Sequence, residues 1–274
     1  MSDELEELGL LEDEEIELDL AALTLSALDH EGVDLAPHYR LLDDIEDRLN
    51  QVGSDAMTVE QQASALAQVL NEEFGFVGDA DAYGAPINAD LIRVLERKQG
   101  LPVSLSILYV AAARRMGWPA YALNTPGHVL VRIGDERFLL IDPFNGGHAV
   151  SMEQLAGMTR LYLGSEAKAE PEHLAPVPNR AVLLRLLRNQ ASRAEQDGDT
   201  DRAVVLHQRM SKFAPEYPDV WWEQARLHAQ LRNLEAARDS LSAMLEITRD
   251  PARRKLINEA LDQLARDQKS TREG

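Results

Sequence analysis

At 274 residues the chain is long enough for two domains, and 45% apolar with 27% charged residues is the balance of a globular protein. It has no cysteine, which excludes disulfides, thiolate metal sites and a cysteine nucleophile. The net charge of −19 is concentrated ahead of Arg180, because the remainder carries 17 bases against 15 acids; such a field repels phosphate backbones and argues against nucleic acid as a partner.

The first twenty residues hold ten acids and no base, unlike a signal peptide, and residues 1–18 read as an acidic, disordered tail. The apolar charge-free stretch from Gln99 to Ala113 is too short to span a bilayer, so no membrane association is expected and the cytoplasm is the expected location. Apolar residues three and four apart predict helices over 20–29, 37–51 and 57–74. The Gly-, Asp- and Pro-rich "FGFVGDADAYGAPIN" reads as a long ordered loop, and a helix near 88–98 is expected to end with Gly100 as its cap. The stretch that follows, "GLPVSLSILYVAAARRMGWPAY", is apolar almost all round, the mark of a helix buried in a core. "HVLVRI" and "RFLLID" alternate and read as a β-hairpin; a three-residue loop of Gly134, Asp135 and Glu136 would pair Ile133 with Arg137 and set His128 opposite Asp142.

Residues 166–179 carry three prolines and no period, and read as a linker. Beyond them Leu187, Ala191 and Ala203 recur thirty-four residues later as Trp221, Ala225 and Ala237. That is the tetratricopeptide period, in which small residues let the two helices of a unit pack closely. First helices of the pairs are expected at 180–195 and 219–231, and a capping helix from Pro251 to Ala265.

The opening of the buried helix fits the transglutaminase-like pattern Gly-x-Cys-x-x-x-Ala followed by Arg-x-x-Gly-x-Pro-Ala. Gly100, Ser106, Arg114, Gly117, Pro119 and Ala120 take their places in it. That register puts Pro102 on the nucleophile, His128 of "PGHVLVR" on the histidine and Asp142 of "LLIDPFNGG" on the acid. The region from Phe74 to Gly147 more closely resembles the SirB-type bacterial proteins, through Asn88, Leu91, Val94, Leu95, Glu96, Arg97, Gly100, Pro102, Ser104 and Leu105. The resemblance implies an α+β fold: a degenerate transglutaminase-like (papain-like) domain over 19–165, followed by tetratricopeptide-like repeats over 180–268. It implies no settled activity.

Papain-like chemistry needs a thiolate at a helix N-terminus, a histidine to take its proton and an acid to fix the histidine tautomer. Proline suits the first helical turn, where no N–H is lost, but cannot attack. Ser104 lies about 200° round the helix from Pro102, and Ser106 about 6 Å deeper along its axis. The leading expectation is therefore a non-catalytic protein acting as a protein-binding adaptor through its repeats and its vestigial cleft. The alternative is a serine hydrolase or acyltransferase using Ser104 or Ser106 with His128 and Asp142. His128, Asp142 and His148 match no metal spacing and "FNGG" leads into no helix, so no metal or cofactor is expected. Arg185, Arg188, Arg226 and His228 are the candidate partner-binding residues of the repeat groove. The groove would take an acidic protein or peptide, or the chain's own acidic N-terminus.

Overall fold

The computed structural model describes residues 2–168 and 170–273. The chain divides into two compact units, one of residues 12–186 and one that joins residues 2–11 to residues 187–273. The first unit is α+β, and the second is all α.

In the first unit the helices are α2 (Leu18–Ala27), α3 (Ala36–Gly53), α4 (Val59–Leu66), α5 (Leu91–Arg97), α6 (Pro102–Arg115) and α7 (Met152–Leu163). Here α1 is the N-terminal helix of the second unit, Ser2–Leu10. Thr58 accepts from the Gln61 backbone N–H, the capping box that "TVEQ" encodes, and starts α4. α4 then widens into a π-helical turn over Ala67–Glu73 instead of running on as a regular helix. Two short strands, β1 (Val77–Gly78) and β2 (Gln99–Gly100), pair in parallel. Lys98, left-handed at φ 61°, caps α5 in place of the expected Gly100, which lies in β2. Every residue of α6 from Pro102 to Ala113 is buried, as its uninterrupted apolar surface requires.

An antiparallel sheet runs β3 (Ala120–Ala122), β4 (Val131–Ile133), β5 (Leu139–Asp142), β6 (His148–Ala149), in that order. The hairpin loop is longer than expected: Ile133 pairs with Leu139, not Arg137. The slip is two residues, and His128 lies in a bend ahead of β4, from which it still reaches Asp142 at the end of β5.

The acidic N-terminus is ordered over 2–15, contrary to expectation. In α1, Leu5 and Leu8 are buried, and Ile16 and Leu18 beyond it are 2% exposed. Asp13 is spent on α8 (Asn179–Gln196): its carboxylate accepts the Asn179 and Arg180 N–H groups at 2.7 and 2.8 Å, the stabilising arrangement of an anion at a helix N-terminus. The expected linker also joins the first unit, since Val177 donates its N–H to the Ala122 carbonyl on the sheet edge. α8 is then shared, its residues up to Leu186 belonging to the first unit and the rest to the second.

The second unit repeats in atomic detail. α9 (Thr200–Phe213) and α11 (Leu234–Ile247) are capped by Asp199 and Asn233, both at φ −85°, ψ 72°. Each cap follows a left-handed residue, Gly198 or Arg232, and the equivalent N–H to carbonyl bonds Asp199–Ala194 and Asn233–His228 close both turns. The thirty-four-residue period thus carries a turn geometry as well as a packing pattern. α10 (Pro218–Gln230) and α12 (Pro251–Glu273) complete the array. Ala225, Ala237, Leu241, Met244 and Ile257 form its core. The N-terminal helix α1 packs on α9, a second helix of a pair, whereas the first helices α8 and α10 were the ones expected to receive it.

Candidate functional site

Pro102 occupies the first turn of α6 where a papain-like nucleophile would stand, buried and without an N–H. Neither neighbouring serine replaces it. Ser104 is fully buried and donates its hydroxyl to the Asn88 carbonyl at 2.6 Å; Ser106, equally buried, donates to the Val103 carbonyl at 2.8 Å.

The other residues of the loop-and-helix pattern are engaged in a similar way. Asn88 donates to the Ala82 carbonyl and accepts from Arg97 at 2.7 Å, while Arg97 reaches Asp79 at 2.8 Å. The Ala82 N–H, and then Arg97, hold the Asp79 carboxyl below its ordinary value. This network ties the long loop to the start of α6. Arg114, the arginine of the closing turn, likewise links α6 to the Ala120 carbonyl at 2.9 Å and to Asn179 at 2.8 Å.

The histidine and the acid do meet. His128 Nε2 lies 2.8 Å from Asp142 Oδ1. The same carboxylate accepts the Phe144 N–H at 3.0 Å and the Asn145 side-chain amide at 2.6 Å. Burial pushes the Asp142 carboxyl up, but the donors His128 and Asn145 outweigh it and hold the group below its ordinary value. An ionised carboxylate only accepts, so His128 donates its Nε2–H to Asp142. Two left-handed glycines after the turn, Gly146 at φ 72° and Gly147 at φ 76°, bring the chain back into β6.

Phe144 stands edge-on to His128, with centroids 5.9 Å apart, and to Tyr83, at 5.7 Å. Beneath the pair, the fully buried Tyr109 hydroxyl makes no hydrogen bond among the described residues, and burial together with the Asp142 charge raises its pKa. The His128 ring makes one hydrogen bond among the described residues, the one to Asp142. No hydroxyl among the described residues is hydrogen-bonded to the ring.

Of the four arginine and histidine candidates of the repeat groove, Arg185 falls in the first unit and Arg188, Arg226 and His228 in the second. Arg185 belongs to the first unit and donates to the His128 carbonyl at 2.8 Å. Arg226 is clamped between Glu195 at 2.5 Å and Glu223 at 2.6 Å. His228 is buried on the core face of α10, and burial lowers its pKa. Arg188 and Arg226 are exposed. A mostly apolar groove of about 340 Å³ opens among α10, α11 and α12, lined by Trp222, Ala225, Ala229, Leu241, Ala260 and Leu264, with Arg226, Gln263 and Asp267 at its polar side. Of the tandem tryptophans, Trp221 donates its indole N–H to the Pro215 carbonyl, and Trp222 is 38% exposed on the groove. Among the described residues no group of three or more acids and histidines is placed to hold a metal ion, and no helix is long and apolar enough to cross a membrane.

Residues 37–188 match the profile of the Transglutaminase-like superfamily, and residues 194–260 match that of the Tetratricopeptide repeat. Fold, site and match together define a transglutaminase-like domain followed by helical repeats. The UPF0162 protein of Xylella fastidiosa (strain 9a5c) is 30% identical over 244 residues, covering 88% of this chain and 87% of that one. That of Pseudomonas aeruginosa is 28% identical over 245 residues, 89% of this chain and 90% of that one. The chain belongs to this UPF0162 family, the SirB-type proteins of bacteria. It is also 27% identical over 198 residues to human F-box only protein 21, which covers 66% of this chain and 31% of that protein. A crystal structure of menin aligns at a TM-score of 0.35 with 9% identity, covering 84% of this chain and 66% of that one.

Proposed function

We infer that the protein is a non-catalytic member of its superfamily, working in the cytoplasm as an adaptor that binds other proteins through its repeats. One observation carries this reading: at the start of α6 the nucleophile position is Pro102, and both nearby hydroxyls are buried and bonded to backbone carbonyls. Asp142 caps the turn at Pro143–Asn145 by accepting the Phe144 N–H, so its retention needs no catalysis to explain it. The groove lined by Trp222 and three alanines supports the binding half of the reading, since an exposed tryptophan over small residues suits an inserted apolar side chain. Filling the groove tests it. The full chain and its Ala229→Arg variant, captured from the source bacterium under identical conditions, are expected to differ by the loss of specific co-purifying proteins. Unchanged capture by a folded variant rules the groove out as the working surface.

A further inference from the structure

Neither family match includes residues 2–11, yet these residues belong to the same compact unit as the repeats. Their contact is with α9. α1 presents Leu5 and Leu8, three apart on one face, and both are buried, 4% and 7% exposed. Gly9 makes the approach close: a Cβ there would lie 2.8 Å from the Lys212 carbonyl oxygen and 3.3 Å from the Phe213 Cα. A helix of bare backbone at that point rests directly on the end of α9.

Charge matches as well. α1 carries Asp3, Glu4, Glu6 and Glu7 and no base, whereas α9 carries Arg202, Arg209 and Lys212 against the single acid Asp201. A nine-residue helix is marginal in water without tertiary support. The contact with α9 supplies such support.

We propose that the outer face of α9 is a docking surface for short acidic amphipathic helices, that α1 is its resident occupant, and that an acidic helix of a partner protein competes with α1 for it. The recognised features are two leucines three apart, a small residue after the second, and carboxylates on the remaining faces. Because α1 is tethered, its effective concentration is high, and a competitor must exceed it. The surface is distinct from the groove lined by Trp222. The proposal rests on the adaptor reading only for its use in the cell.

The test uses the full chain and its Leu5→Asp/Leu8→Asp double variant. Amide exchange in α9 is expected to accelerate on the order of tenfold or more in the variant, because both leucines are buried and their helix packs on α9. A labelled synthetic peptide of residues 1–11 is expected to bind the variant at least about tenfold more tightly than the wild-type chain, where α1 occupies the surface. The same peptide with both leucines changed to aspartate should bind neither. Rising salt should weaken binding. Unchanged α9 exchange overturns the proposal, as does failure of the peptide to bind the variant. Neither readout involves the groove, so the adaptor reading can fail or stand independently of this one.

Discussion

The two units bury polar side chains in opposite ways. The transglutaminase-like unit keeps carboxylates charged inside: Asp79 and Asp142 are 4% and 2% exposed, each ringed by donors that lower its pKa. The repeat unit instead buries neutral histidines. His207 is 4% exposed, and burial lowers its pKa to about 4. The difference follows from backbone bookkeeping. Long loops and turns leave N–H groups that only buried acceptors can satisfy, whereas helical repeats satisfy their own backbone and tolerate a polar side chain only when it is uncharged.

Breaking the charged network should cost most. Arg97→Ala strands the Asp79 carboxylate and frees Asn88, and is expected to lower unfolding free energy by about 3 kcal/mol in denaturant titration. Arg97 is partly exposed, which sets the figure at the low end for such pairs.

Acid should separate the units. His207 has a folded pKa below its unfolded value of about 6.5, so its contribution is complete above that pH and is lost as pH falls towards 4. By pH 5 the repeat unit should lose about 2 kcal/mol, seen as faster amide exchange in α9 and α10. Asp79 and Asp142, with folded pKa values below about 3.9, lose their contribution only as pH drops beneath that value. Exchange in the first unit should therefore hold steady to about pH 4. His207→Leu should flatten the response of the repeats between pH 6.5 and 5.

Asp142→Asn keeps the shape of the site but removes the charge, and turns one amide towards the Asn145 amide. A loss of about 1.5 kcal/mol is expected, with the His128 ring changing tautomer in nitrogen NMR. Ser104→Ala should cost least, about 0.5 kcal/mol, because the Asn88 carbonyl retains the Leu101 N–H at 3.1 Å.

What could be read from the sequence was what local periods encode. The apolar run of α6, the alternating strands around Gly134 and the thirty-four-residue recurrence of Ala191 and Ala203 each announce an element through its own repeat. The His128–Asp142 pair was legible in "PGHVLVR" and "LLIDPFNGG", whose residues bring the two side chains together. What was missed depends on partners far along the chain. Asp13 looked like one of many solvated acids, but its partner Asn179 lies 166 residues on. The interruption of "ELEELGL" by glycine is the one local sign that α1 approaches another backbone. Arg185 and His228 fell on helix positions that could face a groove, but a helical period does not say what covers the face: the His128 loop in one case, the repeat core in the other.

The proposed non-catalytic role requires that neither Ser104 nor Ser106 be activated by His128. Incubating the folded full chain with a fluorophosphonate probe, which captures activated serines covalently, tests it most directly. Mass spectrometry should find Ser104 and Ser106 unmodified, with wild-type and His128→Ala chains indistinguishable. Stoichiometric labelling of Ser104 or Ser106 in the wild type, abolished by His128→Ala, would contradict the account and restore the serine-enzyme reading.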